Sequence, residues 1–378
     1  MSGFLDKPPT PVHRELVPLT GIRSLAALWV FFYHSKSELI RAFPGQSWFI
    51  EGVTGCGYLG VDLFFTLSGF ILAYNYSGLC SNLKRGDYLR YLWLRLARIY
   101  PVHLFTLILF VIAVLGAKLF GIGLTKPEFY NTADFFRNIF LVQAWSFPVR
   151  PSWNTLSWSV SCEWLAYLTL PFWLLIHRGR STAAHITLYG ILAVALVFIC
   201  HSIRFDSTFG YGLIRILFEF NLGIIAYHLF NIRFAKELHW TAIMLVSSVV
   251  VFVTPYFIRE FDFPVFLLSP VFGVIILGLS YENSLFSRIL SWRPFVYGGY
   301  VSYSFYMIHE LILLVARKAY SYSPAPLQPL ANFLWIPLVL LATAIAATCI
   351  HHFIEEPSRV FMRSRLTSRD RSRKEGTR

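Results

Sequence analysis

Stretches of about 20 apolar residues, the length that crosses a bilayer as helix, follow one another down this chain with short polar breaks between them. They lie near 17–37, 57–77, 99–120, 156–176, 183–202, 213–230, 240–258, 264–280, 296–316 and 331–354. The pattern predicts an all-α integral membrane protein, a bundle of about ten transmembrane helices. Pro101, Pro171, Pro255 and Pro270 fall in or near these runs, which bundles tolerate where neighbouring groups satisfy the freed backbone. Residues 1–356 read as a single transmembrane domain and 357–378 as a basic tail without fixed structure.

Composition strengthens the membrane assignment and charge orients it. Hydrophobic residues make up 56% of the 378 and charged residues only 14%, against about 25% charged in soluble domains. Alternate loops carry Lys84, Arg85, Arg90, Arg95 and Arg98, then Arg178 and Arg180, Arg233 and Lys236, Arg288 and Arg293, and the tail adds eight more basic residues from Arg359 onward. The opposite loops are poorer, with Arg41, Lys126, Arg137, Arg150, Arg204 and Arg259. By the positive-inside rule both termini are expected in the cytoplasm. The net charge of +13 is then a topology and lipid-headgroup signal, and no fold that binds nucleic acid accompanies it. Cys56, Cys80, Cys162, Cys200 and Cys349 show no metal-ligand or disulfide spacing, so no metal is expected. The first run is too long for a cleavable signal peptide and lacks a small-residue cleavage site. Residues 121–157, rich in Trp, Phe and Pro, form the longest loop on the non-cytoplasmic side and suit a lid at the interface.

Charges inside the apolar runs are the candidate chemistry. Arg23 and His34 are eleven residues apart in the first run, about three helical turns, so they share a face and stand roughly 16 Å apart along the axis. Burying them in hydrocarbon is costly, so that face must meet a polar cavity or partners. Ala26, Ala27 and Val30 between them would leave room for a narrow channel. Asp62 and Ser68 interrupt the glycine-containing second run, either as a cap within tight packing or as polar groups of a site. Arg95 and Arg98 share a face at the mouth of the third run, where they either flank the membrane or grip an anion in bidentate fashion. Glu163 lies one turn from Ser159 and from Tyr167, as a proton donor or an imidazole-orienting carboxylate. Arg215 and Glu219 are spaced for a neutralising salt bridge, and His309 alone reads as a core histidine.

In order, these segments resemble one family. Gly21-Ile-Arg23 through His34, Gly60-Val-Asp-Leu-Phe-Phe-Thr-Leu-Ser-Gly-Phe70, Arg95-x-x-Arg98, Ser161-Cys-Glu163, Arg215…Glu219…Gly223, Ser302-Tyr303…Tyr306…His309 and Glu355-Glu-Pro357 are similar to the acyltransferase-3 family of integral-membrane O-acyltransferases. Thr20 and Met307 are mild departures, where Asp and Leu are common. The resemblance implies transfer of an acyl group, acetyl foremost, from acyl-CoA as donor substrate to a hydroxyl of a cell-surface or lipid-linked glycan, with no bound cofactor and without an SGNH hydrolase-like extension. His34 would be the general base and Glu163 its orienting partner. Arg95 and Arg98 would hold the donor phosphates, and Arg23 phosphate, pantetheine or the thioester carbonyl. The resemblance also implies substrate-binding roles for Asp62, Ser161, Tyr306 and His309. The implied location is a bacterial-type inner membrane. Acylation of a macrolide-like metabolite is the alternative acceptor, and a glycan transporter or flippase the alternative class; no internal repeat of the transporter kind is present.

Overall fold

A computed structural model describes residues 14–78, 84–124, 126–146, 150–202, 212–234, 236–261, 268–324 and 328–375. Cys80, Arg204 and the side chains of Cys200, Arg259 and the far tail lie outside the described residues. Fifteen helices, and no strand, occur among them: α1 Val17–His34, α2 Lys36–Ala42, α3 Ser47–Thr54, α4 Leu59–Tyr76, α5 Arg85–Leu119, α6 Thr132–Ile139, α7 Trp158–His177, α8 Thr182–Ser202, α9 Gly212–Asn231, α10 Trp240–Phe261, α11 Ser269–Ser280, α12 Leu285–Leu290, α13 Arg293–Ser321, α14 Gln328–Ile350 and α15 Glu356–Glu375. The described part of each expected apolar run overlaps at least one of them; residues 264–267 of the run 264–280 lie outside the described residues. Among the described residues six helical stretches are long and apolar enough to cross a membrane, and parts of α8, α10 and α11 are shorter apolar helices.

The outer surface is what a lipid solvent calls for. Ile108, Ile112, Leu115 and Leu119 of α5, Val246, Val249 and Val253 of α10, and Leu334, Leu338, Leu341 and Ile345 of α14 are exposed. The charged residues Asp62, Arg215, Glu219 and Glu355 are buried instead. In hydrocarbon the apolar outer face costs nothing, and association rests on close packing and interhelical polar contacts.

The two most extensive helix pairs are α4 along α9 and α1 along α13. Glycine makes both possible. A Cβ on Gly223 would stand 2.0 Å from the Thr66 carbonyl oxygen, and one on Gly299 1.9 Å from that of Thr20, so any side chain there would force the helices apart. The α4–α9 pair is also locked electrostatically. Arg215 donates from Nε and Nη2 to the two Asp62 carboxylate oxygens, each at 2.5 Å, and lies 3.5 Å from Glu219.

Three expectations change. The segment from 357, expected to be without structure, is helical to Glu375. Glu356 sits at the positive end of the helix dipole, the basic residues follow, and Trp93 of α5 donates to the Met362 carbonyl at 2.8 Å. The channel expected along α1 between Arg23 and His34 is filled, because Ala26 and Val30 pack against Gly60 of α4 and Ala27 and Val30 belong to the buried core. The aromatic loop before α7 is pinned and not free as a lid. Fully buried Asn138 donates to Ser152 and accepts from Ser157, and Gln143 donates to Ser157.

Candidate active site

A cavity of about 500 Å³ opens between α1, α4, α5, α7 and α13. Arg23, Arg95 and Arg98 all line it, joined by Arg14 and Arg359. Arg23, half-buried on α1, makes no hydrogen bond or ion pair among the described residues; its electrostatic neighbours are Arg98, Glu355, Glu163 and Tyr167. Arg95 donates to the Tyr76 hydroxyl at 3.1 Å and lies against the rings of Tyr76 and Tyr167. Arg98 pairs with Glu355 and lies 5.6 Å from the centre of the Tyr303 ring. The aromatic walls hold the Arg95 guanidinium in place without neutralising it. The π-helical turn His351–Glu355 between α14 and α15 aims Glu355 inward, where Ser304 donates to it at 2.8 Å and His351 lies 3.0 Å away. Five arginines thus ring one opening in an apolar bundle; Arg14, Arg98 and Arg359 are paired with Glu282, Glu355 and Glu356, and Glu15 and Glu163 also line it.

Glu163 faces the same cavity. Its Oε1 accepts from Ser68 at 2.8 Å and from Tyr167. The carboxylate is therefore part of the arginine cavity, and the expected contact with His34 is absent. The α7 face carrying Glu163 looks toward α4 and α5, while His34 ends α1 on the side of α13.

The partner of His34 is His309. His309 Nε2 lies 3.4 Å from His34 Nδ1, and the ring centres are 5.3 Å apart. The protons follow from the neighbours. His34 Nδ1 is 2.9 Å from the Val30 carbonyl oxygen and His309 Nδ1 3.3 Å from that of Phe305. A carbonyl only accepts, so both rings carry their proton on Nδ1. His309 then turns the Nε2 lone pair to His34, and His34 keeps its own Nε2 lone pair for another proton. Around the pair, Arg317 donates to the His34 carbonyl at 2.5 Å and to Glu38 at 2.9 Å. This fixes the end of α1.

Tyr306 connects the two regions. It lines the inner cavity, shares a 2.8 Å hydrogen bond with Ser159, and its ring centre is 5.8 Å from that of His309. The arginines, Glu163, Tyr306, His309 and His34 thus succeed one another through the bundle.

Two expected substrate-binding residues are elsewhere. Asp62 is committed to Arg215 and lies outside the cavity lining; the Arg215–Glu219 pair is a structural contact as expected, with Asp62 as its third member. Ser161 donates to the Leu141 carbonyl at 2.7 Å and accepts from the Ala144 amide. It holds a loop in which Leu141 has a φ of 57°, a conformation that needs such support. Sequence inspection assigned no site role to Arg14, Arg359, Tyr303, Glu38 or Arg317. The spacing of Glu38, one turn beyond His34, and of Arg359, one turn beyond Glu355, is the signal that would find the last turn of each wall.

Comparison with known proteins follows the same lines. The chain is 35% identical over 170 residues to the acyltransferase MdmB of Streptomyces mycarofaciens, covering 44% of this chain and 40% of that protein. It is 25% identical over 376 residues to the O-acetyltransferase OatA of Staphylococcus aureus, covering 92% of this chain and 57% of the relative. The chain thus spans about half the length of these curated relatives. No solved structure matches it. The acyltransferase domain model matches residues 18–352, which include Arg23, His34, Glu163, Tyr306 and His309, and the chain belongs to the acyltransferase-3 family.

Proposed function

We propose that this protein moves an acyl group, acetyl foremost, from acyl-CoA to a hydroxyl of a cell-surface or lipid-linked glycan. The observation that carries the proposal is the succession of side chains from an arginine-lined cavity, through Tyr306 in its wall, to the histidine pair that lies just beyond that lining. Acyl-CoA is a polyanion at one end and a thioester at the other, and the arginine cavity and the histidine pair match those two demands. Arg14, Arg23, Arg95, Arg98 and Arg359 hold the phosphates, and the pantetheine arm runs inward past Glu163 and Tyr303.

In the transfer step the acceptor hydroxyl attacks the thioester carbonyl while His34 Nε2 takes its proton. The C–S bond breaks, an ester forms, and coenzyme A leaves as the thiol after receiving that proton. General-base assistance of this kind supplies about 10²–10⁴-fold in rate. His309 Nε2 is a second acceptor for His34 Nδ1–H beside the Val30 carbonyl, and the two together hold the tautomer that leaves Nε2 basic. A carboxylate does this in hydrolase triads; here a neutral imidazole does it in a low-polarity setting.

In this proposal α1, α8, α10 and α11 join the six longer stretches to make ten spans, with both termini cytoplasmic in a bacterial inner membrane. Arg14 and Arg359 at the mouth of the cavity then face the side that supplies acyl-CoA. The relative named as an O-acetyltransferase supports acetyl as the group moved. Calorimetric titration of purified protein with coenzyme A tests the donor site. Binding is expected, with affinity reduced roughly tenfold or more in Arg95→Ala, since a hydrogen bond to a charged group is worth about 1.5–3 kcal/mol. Equal binding by wild type and Arg95→Ala would remove the arginine cavity from donor recognition.

A further inference from the structure

Glu310 is a membrane-helix carboxylate that nothing described so far uses. It follows His309 on α13 and is half-buried, and its Oε2 is fully buried with no hydrogen-bond partner among the described residues. Ionisable groups in such helices pair with one another or serve a ligand, and the available cation is taken. Arg317, two turns further along α13, spends its guanidinium on both oxygens of Glu38 and on the His34 carbonyl. Glu310 is nevertheless close enough for its charge to act on His34, on Arg317 and on Tyr130. Leu311, the next residue, packs into the cluster of Trp153, Tyr130 and Phe135, and the Tyr130 and Trp153 rings meet edge to face at 5.6 Å.

We propose that Glu310 binds the acceptor, its unpartnered carboxylate accepting a second hydroxyl of a polyhydroxylated substrate while His34 takes the proton from the first. The proposal rests on the acyl-transfer function above and adds the chemistry of its acceptor. A carboxylate accepts on two oxygens and donates nothing once ionised, so it selects ligands with neighbouring hydroxyls. The Tyr130–Trp153 rings, packed in one cluster with the adjacent Leu311, offer an apolar wall for the C–H face of a pyranose. A carboxylate and an aromatic surface next to a base suit a sugar better than an isolated alcohol.

The test uses purified full-length protein in detergent with acetyl-CoA as donor and two acceptors, methyl β-D-glucopyranoside and benzyl alcohol. Glu310→Gln, which keeps volume, and Glu310→Ala are each expected to raise the ratio of the glycoside KM to the benzyl alcohol KM about tenfold, the scale of one charge-assisted hydrogen bond, with the KM for acetyl-CoA unchanged. Binding of the glycoside to wild type and to Glu310→Gln is followed in parallel by saturation-transfer NMR, with the signal expected only in wild type. Equal loss on both acceptors would make Glu310 a positioning group for His34 and overturn the proposal, as would an unchanged ratio. Wild type that neither acetylates nor binds the glycoside overturns it too. Glu310-dependent glycoside binding without any coenzyme A release would instead keep the sugar site and remove the acyl-transfer function.

Discussion

His309 Nε2 stands 3.4 Å from His34 Nδ1, and a backbone carbonyl fixes the proton on Nδ1 of each ring. The relationship turns two histidines from different ends of the chain into an ordered pair: one supplies a lone pair, and the other is left with its outward nitrogen unprotonated. It also places the pair beside Tyr306, which lines the arginine cavity.

His309→Leu removes one of the two acceptors on His34 Nδ1–H and leaves the Val30 carbonyl. Turnover is expected to fall by about tenfold to a hundredfold, within the range of general-base effects, with KM for acetyl-CoA unchanged. His309→Gln restores a carbonyl acceptor at similar reach and should recover part of the loss. Steady-state kinetics of the two variants check this; equal kcat in Leu and Gln variants would mean His309 serves packing against Phe31 and Phe305 alone.

Glu163 is separated from this pair and bonded to Ser68 and Tyr167. Glu163→Gln should therefore leave the pH dependence of kcat where it is in wild type, while His309→Gln displaces it. A pH–rate profile for both variants decides the matter, and a displaced profile for Glu163→Gln would restore a link between Glu163 and His34.

The two cavity arginines should differ in kind. Among the described residues Arg95 meets only a tyrosine hydroxyl and ring faces, so Arg95→Ala should raise KM for acetyl-CoA roughly tenfold or more with little change in thermal stability. Arg98→Ala also strips Glu355, whose side chain is 1% exposed, of its guanidinium. Breaking a buried pair costs about 3–5 kcal/mol; Ser304 and His351 still hold the carboxylate, so about 3 kcal/mol is expected. Thermal denaturation in detergent beside donor titrations separates the two effects. Equal stability of the two variants would show that the Glu355 pair contributes nothing.

What sequence makes legible here is burial, and what it hides is adjacency. Arg23, Arg95, Arg98 and Glu163 can be read as cavity residues because a charge inside an apolar run must meet polar surroundings, and all four line one cavity. Periodicity gives the face of a helix but never the helix opposite. Hence Glu163 reads as a partner for His34 although α7 turns it to α4 and α5, and Asp62 reads as a substrate ligand although Arg215, 153 positions later, takes both its oxygens. Small residues between Arg23 and His34 fit either a channel or a close helix approach; Gly60 on α4 decides for the approach.

The Asp62 correction has its own consequence. Asp62→Asn or Arg215→Ala should destabilise the fold by about 3–5 kcal/mol, because the partner stays buried and unpaired. Such variants should appear as lost folded protein, with KM for the acceptor unchanged in what remains. Size-exclusion profiles and KM values check this, and a well-folded Asp62→Asn with a raised acceptor KM would return Asp62 to the substrate.

The central claim is that His34 activates a hydroxyl against a thioester delivered by the arginine cavity. It is tested most directly by following coenzyme A release and acetyl-ester formation together, for wild type and His34→Ala at equal folded concentration in one detergent. Wild type is predicted to form ester and free coenzyme A in equal amounts, and His34→Ala to lose on the order of 10²–10⁴-fold of that rate while binding coenzyme A as wild type does. Ester formation at the wild-type rate by folded His34→Ala would contradict the account.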